Sequence, residues 1–515
     1  MQSLKEFTIY TKKYFSIEDS YAIRANGQAM GMDEKMMVEN AGSKIADYIR
    51  RRQKGKRVLF ACGVGGKGAI SMSIARHLMN FAEVSVALIG DASSMHNESA
   101  KFNFKTLDGI LDIKEISQDN ISDLRKMLSN SDAVVDGILG VGMRGRLSGL
   151  VSQAIKAINE SGKYVMSIDV PSGINADTGM KNIQAVEPDL LFVVNKMKAY
   201  LKSAGQSYEI SVVDIGLPIT AELFTGPGDV MIATKPRELF ASKYDHGNVL
   251  VVGGSTDYKG APLLSGMASE HALAALRTGS GYVTVYAPAN SSELVRSMKP
   301  ELIVKQLSPK QLSDDDVKAI ISTRHEAMVL GPGMQNTYMS AKQLKYIINA
   351  EYDKGVPMII DAAGIRMLSQ NKSLIKKGMV ITPHDGEFKY LSGIDTSKRP
   401  LEMRIHAAMD FASNYKCVLV LKGHETIITN GSLLKINRPA SPALATMGSG
   451  DVLAGMIAAY AAQCKENLIE AATAAVYVHS KIGDELFAEK GLHITASDII
   501  ESIPKALKGF DRISY

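Results

Sequence analysis

Ala445-Thr446-Met447-Gly448-Ser449-Gly450-Asp451, running straight into the apolar segment Val452 to Ala462, is a glycine turn that opens into a helix. Such a turn aims unpaired backbone N–H groups at one point, and the helix dipole adds positive potential there. That is a place for phosphate. Asp451 stands where the helix begins, so its carboxylate would lie beside whatever anion the turn holds. An acid in a first helical turn can be a favourable dipole partner and nothing more. Beside a phosphate it is repulsive, unless it works as a base on a hydroxyl about to attack phosphorus. Glycines with the acid in register favour the second reading.

Upstream of this turn, short β-branched runs alternate with helical patterns: Asn248 to Val252, Tyr282 to Tyr286, Ala327 to Leu330, Pro357 to Ile360, Met379 to Ile381 and Cys417 to Leu421. The loops that follow suit chemistry. They are Gly253-Gly254-Ser255 with Gly260-Ala261 beyond, Gly331-Pro332-Gly333, Thr382-Pro383-His384-Asp385-Gly386-Glu387 and Lys422-Gly423-His424-Glu425-Thr426. Open parallel sheets bind ligands at the carboxyl ends of their strands, so these loops should converge on one crevice. Any one of them alone could be a tight turn. No GxxxxGK[ST] sequence is present, which disfavours a P-loop.

The first half shows the same alternation, with strands at Arg57 to Ala61, Val84 to Ile89, Ala133 to Val135, Tyr164 to Ile168, Leu190 to Val194 and Ile210 to Val213. Helical segments such as Ser71 to Met79 and Leu150 to Asn159 lie between them, which implies mostly parallel sheets covered on both faces. Leu217-Pro218, Gly226-Pro227-Gly228 and Lys235-Pro236 punctuate an aperiodic stretch that reads as a linker. The expectation is therefore two α/β domains, 1–230 and 231–515. In the first, Gly63-Val64-Gly65-Gly66-Lys67-Gly68 fits GxGxxG between strand and helix, a dinucleotide or phosphate signature. Asp136, the loop Gly140 to Arg146 with two arginines, and Asp169-Val170-Pro171-Ser172-Gly173 all fall at strand ends.

Composition narrows the class. The 515 residues suggest two to four domains, and 45% apolar with 22% charged residues describes an ordinary soluble globular protein. A net charge of +5 is mild, and Arg50-Arg51-Arg52 reads as a solvated helix end, so no nucleic-acid partner is expected. Cys62, Cys417 and Cys464 are widely spaced in apolar segments and read as buried thiols of a reducing compartment. Met1 to Phe15 lacks a signal-peptide core and no apolar run is long enough to span a membrane, so the expected location is cytoplasmic.

From Lys243-Tyr244-Asp245-His246-Gly247 to about Ser502, the TPHxGE, LKGxxT and GSGDVLAG signatures resemble the ADP-dependent NAD(P)H-hydrate dehydratases, a branch of the ribokinase-like three-layer sandwiches. The resemblance implies that NADH or NADPH hydrated on the nicotinamide ring is dehydrated at the expense of ADP or ATP, with magnesium. Asp451 would be the base on the ring hydroxyl, with the N–H groups of Gly448, Ser449 and Gly450 steadying the phosphoryl group. Lys422, Gly423, His424, Glu425, Thr426 and Gly450 would hold the nucleotide, and Ala261, Gly333, His384 and Asp451 would line the hydrate pocket. Three departures stand out: Asp361-Ala362-Ala363-Gly364 lacks a second acid, Asp385 replaces a common proline, and Met447 a common glycine.

Ala22 to Met231 resembles the Rossmann-like NAD(P)H-hydrate epimerase domain often fused ahead of the dehydratase, through Met37-Val38-Glu39-Asn40-Ala41-Gly42 and Val213-Asp214-Ile215-Gly216-Leu217-Pro218. It implies interconversion of the two hydrate epimers and a homo-oligomer. Asp169 would be the acid/base, Gly140, Val141, Gly142, Met143, Arg144, Gly145 and Arg146 would bind phosphates, and Lys198 matches a lysine of a later signature. Asp136 and Ser172 match potassium ligands. The family's NNGGDG loop, however, reads Gly66-Lys67-Gly68-Ala69-Ile70-Ser71, which puts Lys67 where an asparagine helps to hold the cation. Either this half is an inactive scaffold, or the Lys67 ammonium takes the cation's place. A ribokinase-type kinase for a small alcohol such as a hydroxyethylthiazole, behind a non-catalytic first half, is the alternative.

Overall fold

Alternate residues of the strand Arg57–Cys62 fall into separate apolar clusters, Val58, Phe60 and Cys62 in one, Leu59 and Ala61 in another. A strand buried on both faces belongs inside a sheet that helices cover on each side. The first sheet contains β1 (Arg57–Cys62), β2 (Glu83–Ile89), β3 (Ile113–Ile116), β4 (Ala133–Gly137), β5 (Tyr164–Ile168), β6 (Leu190–Val194) and β7 (Glu209–Val213). They are parallel, in the order β3-β2-β1-β4-β5-β6-β7. Strand order reverses between β1 and β4, and the crevice outside such a reversal is where open sheets take ligands.

The second sheet repeats the logic with β8 (Asn248–Val252), β9 (Tyr282–Pro288), β10 (Ile303–Leu307), β11 (Ala327–Leu330), β12 (Met358–Ile360), β13 (Met379–Ile381), β14 (Val418–Leu421), β15 (Ile427–Thr429) and β16 (Leu434–Ile436). Val249 and Val251 of β8 face one apolar cluster, Leu250 and Val252 the other. The order is β10-β9-β8-β11-β12-β13-β14-β15-β16, parallel up to β14, with β15 and β16 antiparallel. β3 and β10, whose mixed exposure leaves no apolar run, and the short β15–β16 pair are not among the strands expected from sequence.

This computed structural model describes residues 2–514 except 53–55, 143–146, 204, 206, 255–260 and 335–336. They divide into the units Lys12–Pro218 and Ile219–Tyr515, the latter joined by Met1–Thr11. The expected boundary at 230/231 and the expected linker are thereby corrected. Residues 220–233 form two short helices whose Ala221, Leu223, Val230 and Ala233 are fully buried in the second unit, and the Thr225 N–H donates to Ile436 O. Gly226-Pro227 reads as a break, but a proline at the first helical position starts a helix as readily as it ends one. Leu4 and Phe7 are buried in the second unit's core as well. Cys62, Cys417 and Cys464 are free and buried. Among the described residues no helix is long and apolar enough to cross a membrane.

Candidate active site

The glycine turn does become the mouth of a helix, α4 (Ser449–Gln463), with Gly448 as its cap at φ +85°. A side chain there would be strained, and its Cβ would meet the Glu270 carboxylate at 2.3 Å. Asp451 follows in the first turn, only 5% exposed. Burial pushes its carboxyl up to about 6, against the pull of His271 and Lys422. Ser449 is buried: its hydroxyl lies 3.1 Å and its carbonyl 3.0 Å from His479 Nε2. Burial presses that imidazole down to about 4, so it is neutral and donates.

Facing Asp451 is His271, from α2 (Ala261–Arg277), wholly buried. Its Nδ1 is 2.8 Å from Met267 O and 3.8 Å from Asp451 Oδ1, and its Nε2 is 3.4 Å from Asp361 Oδ2. Burial works against its charge, but the two carboxylates prevail and raise it. Asp361, one residue past β12, also accepts from Lys422 Nζ at 3.1 Å and Thr382 Oγ1 at 2.7 Å. Burial alone would raise Asp361, yet Lys422 and His271, helped by the Thr382 hydroxyl, hold it well below the carboxylate range. Lys422 is raised in turn, burial being overcome by Asp361 and Glu387. Among the residues expected from sequence, Asp361 figures only as a departure, and His271 and Glu270 are absent. Nothing but their helical placement marks these two, while Asp361's position at a strand end was a usable signal.

The strand-end loops converge as expected. A Cβ on Gly253 would strike Pro332 O at 2.4 Å, one on Gly331 would strike Asp361 O at 2.3 Å, and one on Gly450 would lie 3.3 Å from Lys422 Nζ. His384 pairs with Lys422 through a parallel bridge, the Lys422 N–H donating to Pro383 O at 2.8 Å. The His384 side chain is 62% exposed, and its Nδ1 accepts the N–H groups of Gly386 and Glu387, capping α3 (Asp385–Ser392). Gly423 and His424 are exposed, Glu425 is partly so, and Thr426 is buried with its hydroxyl on Gly423 O. Asp385, in place of proline, accepts from Thr396 Oγ1 at 2.7 Å and lies 3.5 Å from Arg404 Nε. Arg404 Nη1 in turn holds Glu425 O at 3.0 Å, so Asp385 is tied to the loop expected to hold the nucleotide. Gly333 keeps φ +64°, and the side chain of Ala261 lies outside the described residues.

In the first unit the outer two GxGxxG glycines serve close packing: a Cβ on Gly63 would meet Ile138 O at 2.0 Å, and one on Gly68 would meet Gly63 O at 1.8 Å, whereas one on Gly65 would meet nothing. The helix α1 (Gly66–Leu78) can therefore start tight against β1. Gly66 is partly exposed, Ala69 is fully buried in the apolar core and Ile70 packs at its edge. Lys67 points inward instead, 7% exposed. Its Nζ lies 2.8 Å from Asp136 Oδ2, 2.7 Å from Val170 O, 3.1 Å from Leu139 O and 3.2 Å from Ser172 Oγ. Burial tends to raise Asp136, but the ammonium and the Ser172 hydroxyl and N–H outweigh it, so its carboxyl sits below the usual range. A potassium ion does not fit here, because Lys67 Nζ already stands on the oxygens that would bind it.

Asp169 directly follows β5 with φ +64°, a strained conformation for a residue with a side chain. Its Oδ1 accepts from the Val194 N–H at 3.0 Å and pairs with Lys198 Nζ at 2.8 Å, while Lys198 also donates to Val194 O and Lys196 O. Gly140 and Val141 are partly exposed and Gly142 is exposed, with Gly140 lying against the Lys67 side chain; Met143, Arg144, Gly145 and Arg146 lie outside the described residues.

Residues 249–505 match the family NAD(P)H-hydrate dehydratase, and residues 34–199 match the YjeF-related protein N-terminus. The bifunctional NAD(P)H-hydrate repair enzyme of Pyrobaculum aerophilum is 32% identical, over 96% of this chain and 97% of its own. This chain belongs to the bifunctional NAD(P)H-hydrate repair enzyme family. The repair enzyme of Hyperthermus butylicus is 33% identical over 95% of this chain and 91% of its own. Among solved structures, an ADP/ATP-dependent NAD(P)H-hydrate dehydratase from Bacillus subtilis, co-crystallised with ATP/Mg2+, is 25% identical over 55% of this chain and 96% of that chain, with a TM-score of 0.44. Because the repair-enzyme likeness runs through both halves, a small-molecule kinase behind a non-catalytic first half is disfavoured.

Proposed function

We propose that this protein repairs hydrated nicotinamide cofactors, its second unit dehydrating NAD(P)H hydrate with an adenine nucleotide and its first unit interconverting the hydrate epimers. The observation that carries the dehydratase reading is the seat of Asp451: a buried acid raised to about 6, in the mouth of a glycine-capped helix. Asp451 takes the proton of the ring hydroxyl as its oxygen bonds to the transferring phosphorus, and the nucleotide leaves. The N–H groups from Gly448 to Gly450 steady the phosphoryl oxygens. The ring-nitrogen lone pair then expels phosphate, and loss of a ring proton restores the reduced nicotinamide. His271 and Lys422 keep positive charge beside Asp451, which favours the carboxylate the step requires.

His271, Asp361 and Asp451 lie within 4.8 Å of one another, yet Asp361 already faces Lys422, Thr382 and His271. The cluster does not fit magnesium, which demands an octahedron of oxygens. We assign magnesium to the nucleotide's phosphates and give it no protein ligand. In the first unit Asp169 is the acid/base group, held by Lys198 and the Val194 N–H. A homo-oligomer belongs to the same proposal and is checked by light scattering.

The test is incubation of the protein with hydrated NADH, magnesium and either ADP or ATP, following the reduced-nicotinamide absorbance. Recovery with one nucleotide and none without it is expected. A stable phosphorylated alcohol, with no reduced cofactor, would refute the reading.

A further inference from the structure

A buried ammonium with four oxygen neighbours is an unusual object in a first helical turn. Lys67 enters from α1, passes Gly140, where a Cβ would lie 3.3 Å from its own, and ends among oxygens of two strand-end loops. Asp136 and Leu139 O come from the end of β4, Val170 O and Ser172 Oγ from beyond β5. Asp136 and Ser172 are fully buried. Asp136 is satisfied on every side: besides Lys67 it accepts from Ser167 Oγ at 2.8 Å, Ser172 N at 2.9 Å, Ser172 Oγ at 2.5 Å and Ile138 N at 3.2 Å. With the Ser172 hydrogen given to Asp136, a lone pair of Ser172 Oγ is left for the ammonium.

One carboxylate, two backbone carbonyls and one hydroxyl oxygen, closed from water, make a donor set for a hard monovalent cation. Lysine brings such a cation on a flexible stem, with three hydrogens to spend on it. We infer that Lys67 is a tethered cation: its ammonium replaces the free potassium ion that this donor set would otherwise bind, and it clamps the β4 loop to the loop that carries Asp169. The clamp matters because Asp169 is held at φ +64°, one residue before the carbonyl that Lys67 grips. Lys67 is thus a positioning residue for Asp169. For its activity arm the inference rests on the epimerase reading proposed above; for its stability arm it does not.

The experiment uses the full chain in chloride salts of potassium, ammonium or tetramethylammonium at equal ionic strength. Thermal unfolding and the rate of epimer interconversion are measured for wild type and Lys67→Ala. Wild type should unfold at the same temperature and react at the same rate in all three salts. In tetramethylammonium, Lys67→Ala should unfold roughly 5–10 °C lower, because Asp136 is left buried without its counter-ion. Potassium or ammonium should restore most of that loss and at least tenfold in rate, which a purely structural defect would not allow. A potassium-specific rise in the wild-type midpoint as large as the variant's would overturn the inference. So would a folded Lys67→Ala that ignores all three cations. If alanine does not yield folded protein, Lys67→Asn takes its place; if neither folds, the wild-type arm decides, salt-indifference supporting the inference and a potassium-specific rise overturning it. Wild type that interconverts no epimers in any salt would count against the epimerase reading, while the unfolding midpoints still judge the ammonium.

Discussion

Asp169 and Asp451 each stand at the carboxyl end of a set of parallel strands, one in each unit, and their surroundings differ. Asp169 has a lysine ammonium at 2.8 Å and a backbone N–H at 3.0 Å, and pays for them with a left-handed backbone. Asp451 has ordinary helical geometry, with His271 Nδ1 at 3.8 Å and a carboxyl pushed up to about 6 by burial. The first acid is fixed in place by close partners. The second is kept short of them, which leaves burial to raise its proton affinity, as the base proposed for the ring hydroxyl requires. Cations are arranged in a matching way. The first unit locks one into a closed cage, whereas the second lines up His271 and Lys422 around Asp361 beside Asp451.

Neutralising each acid in turn has the largest expected effect. Asp451→Asn should lower cofactor recovery by about 10²–10⁴-fold and leave epimer interconversion intact, and Asp169→Asn should do the reverse, as the loss of a general base requires. A variant that impairs both reactions equally would show that the units do not work separately.

With Asp451 titrating near 6, dehydration should slow about tenfold for each pH unit below that value, since only the carboxylate can take the proton. Stability moves the other way. The folded carboxyl titrates above its unfolded value of 3.8, so the stability it contributes is fully present below 3.8 and is lost as pH rises through 6. Asp451→Asn should therefore be more stable than wild type at pH 7, by about 1–3 kcal/mol in denaturant unfolding. An equally stable or weaker variant would mean that the acid is not strained by its site.

The smallest effect is expected at His384. Its ring caps α3 in the open, and His384→Ser, which keeps a cap, should change stability by less than about 1 kcal/mol and the dehydration rate only a few-fold. A loss beyond about a hundredfold in rate would give the ring a role in the hydrate pocket, measurable as a rise in KM.

Much of this was legible in one dimension because it depends on local rules. Alternating strand and helix patterns locate the central parallel strands, since burial on both faces demands apolar runs. The Gly448–Asp451 turn announces itself because backbone N–H groups at a helix mouth need no distant partner. Lys67 stands out only against the NNGGDG loop of the family that this half resembles, and there it has two possible meanings. What the chain order could not give were contacts made across the sheet. His271, from a helix nearly two hundred positions before Asp451, meets both Asp451 and Asp361 only when the strand ends gather. The same gathering decided that Lys67 ends on Asp136, Leu139, Val170 and Ser172, because a long side chain finds its oxygens by the order of strands and not by spacing along the chain. Residues 219–233 were misread for a related reason: their helices are too short to show a period, and they are held by the second unit's core. Sequence alone fixed which segments fold and which chemistry their loops can hold; the tertiary structure chose which charges face one another, since long-range electrostatics depends on distances that only packing sets.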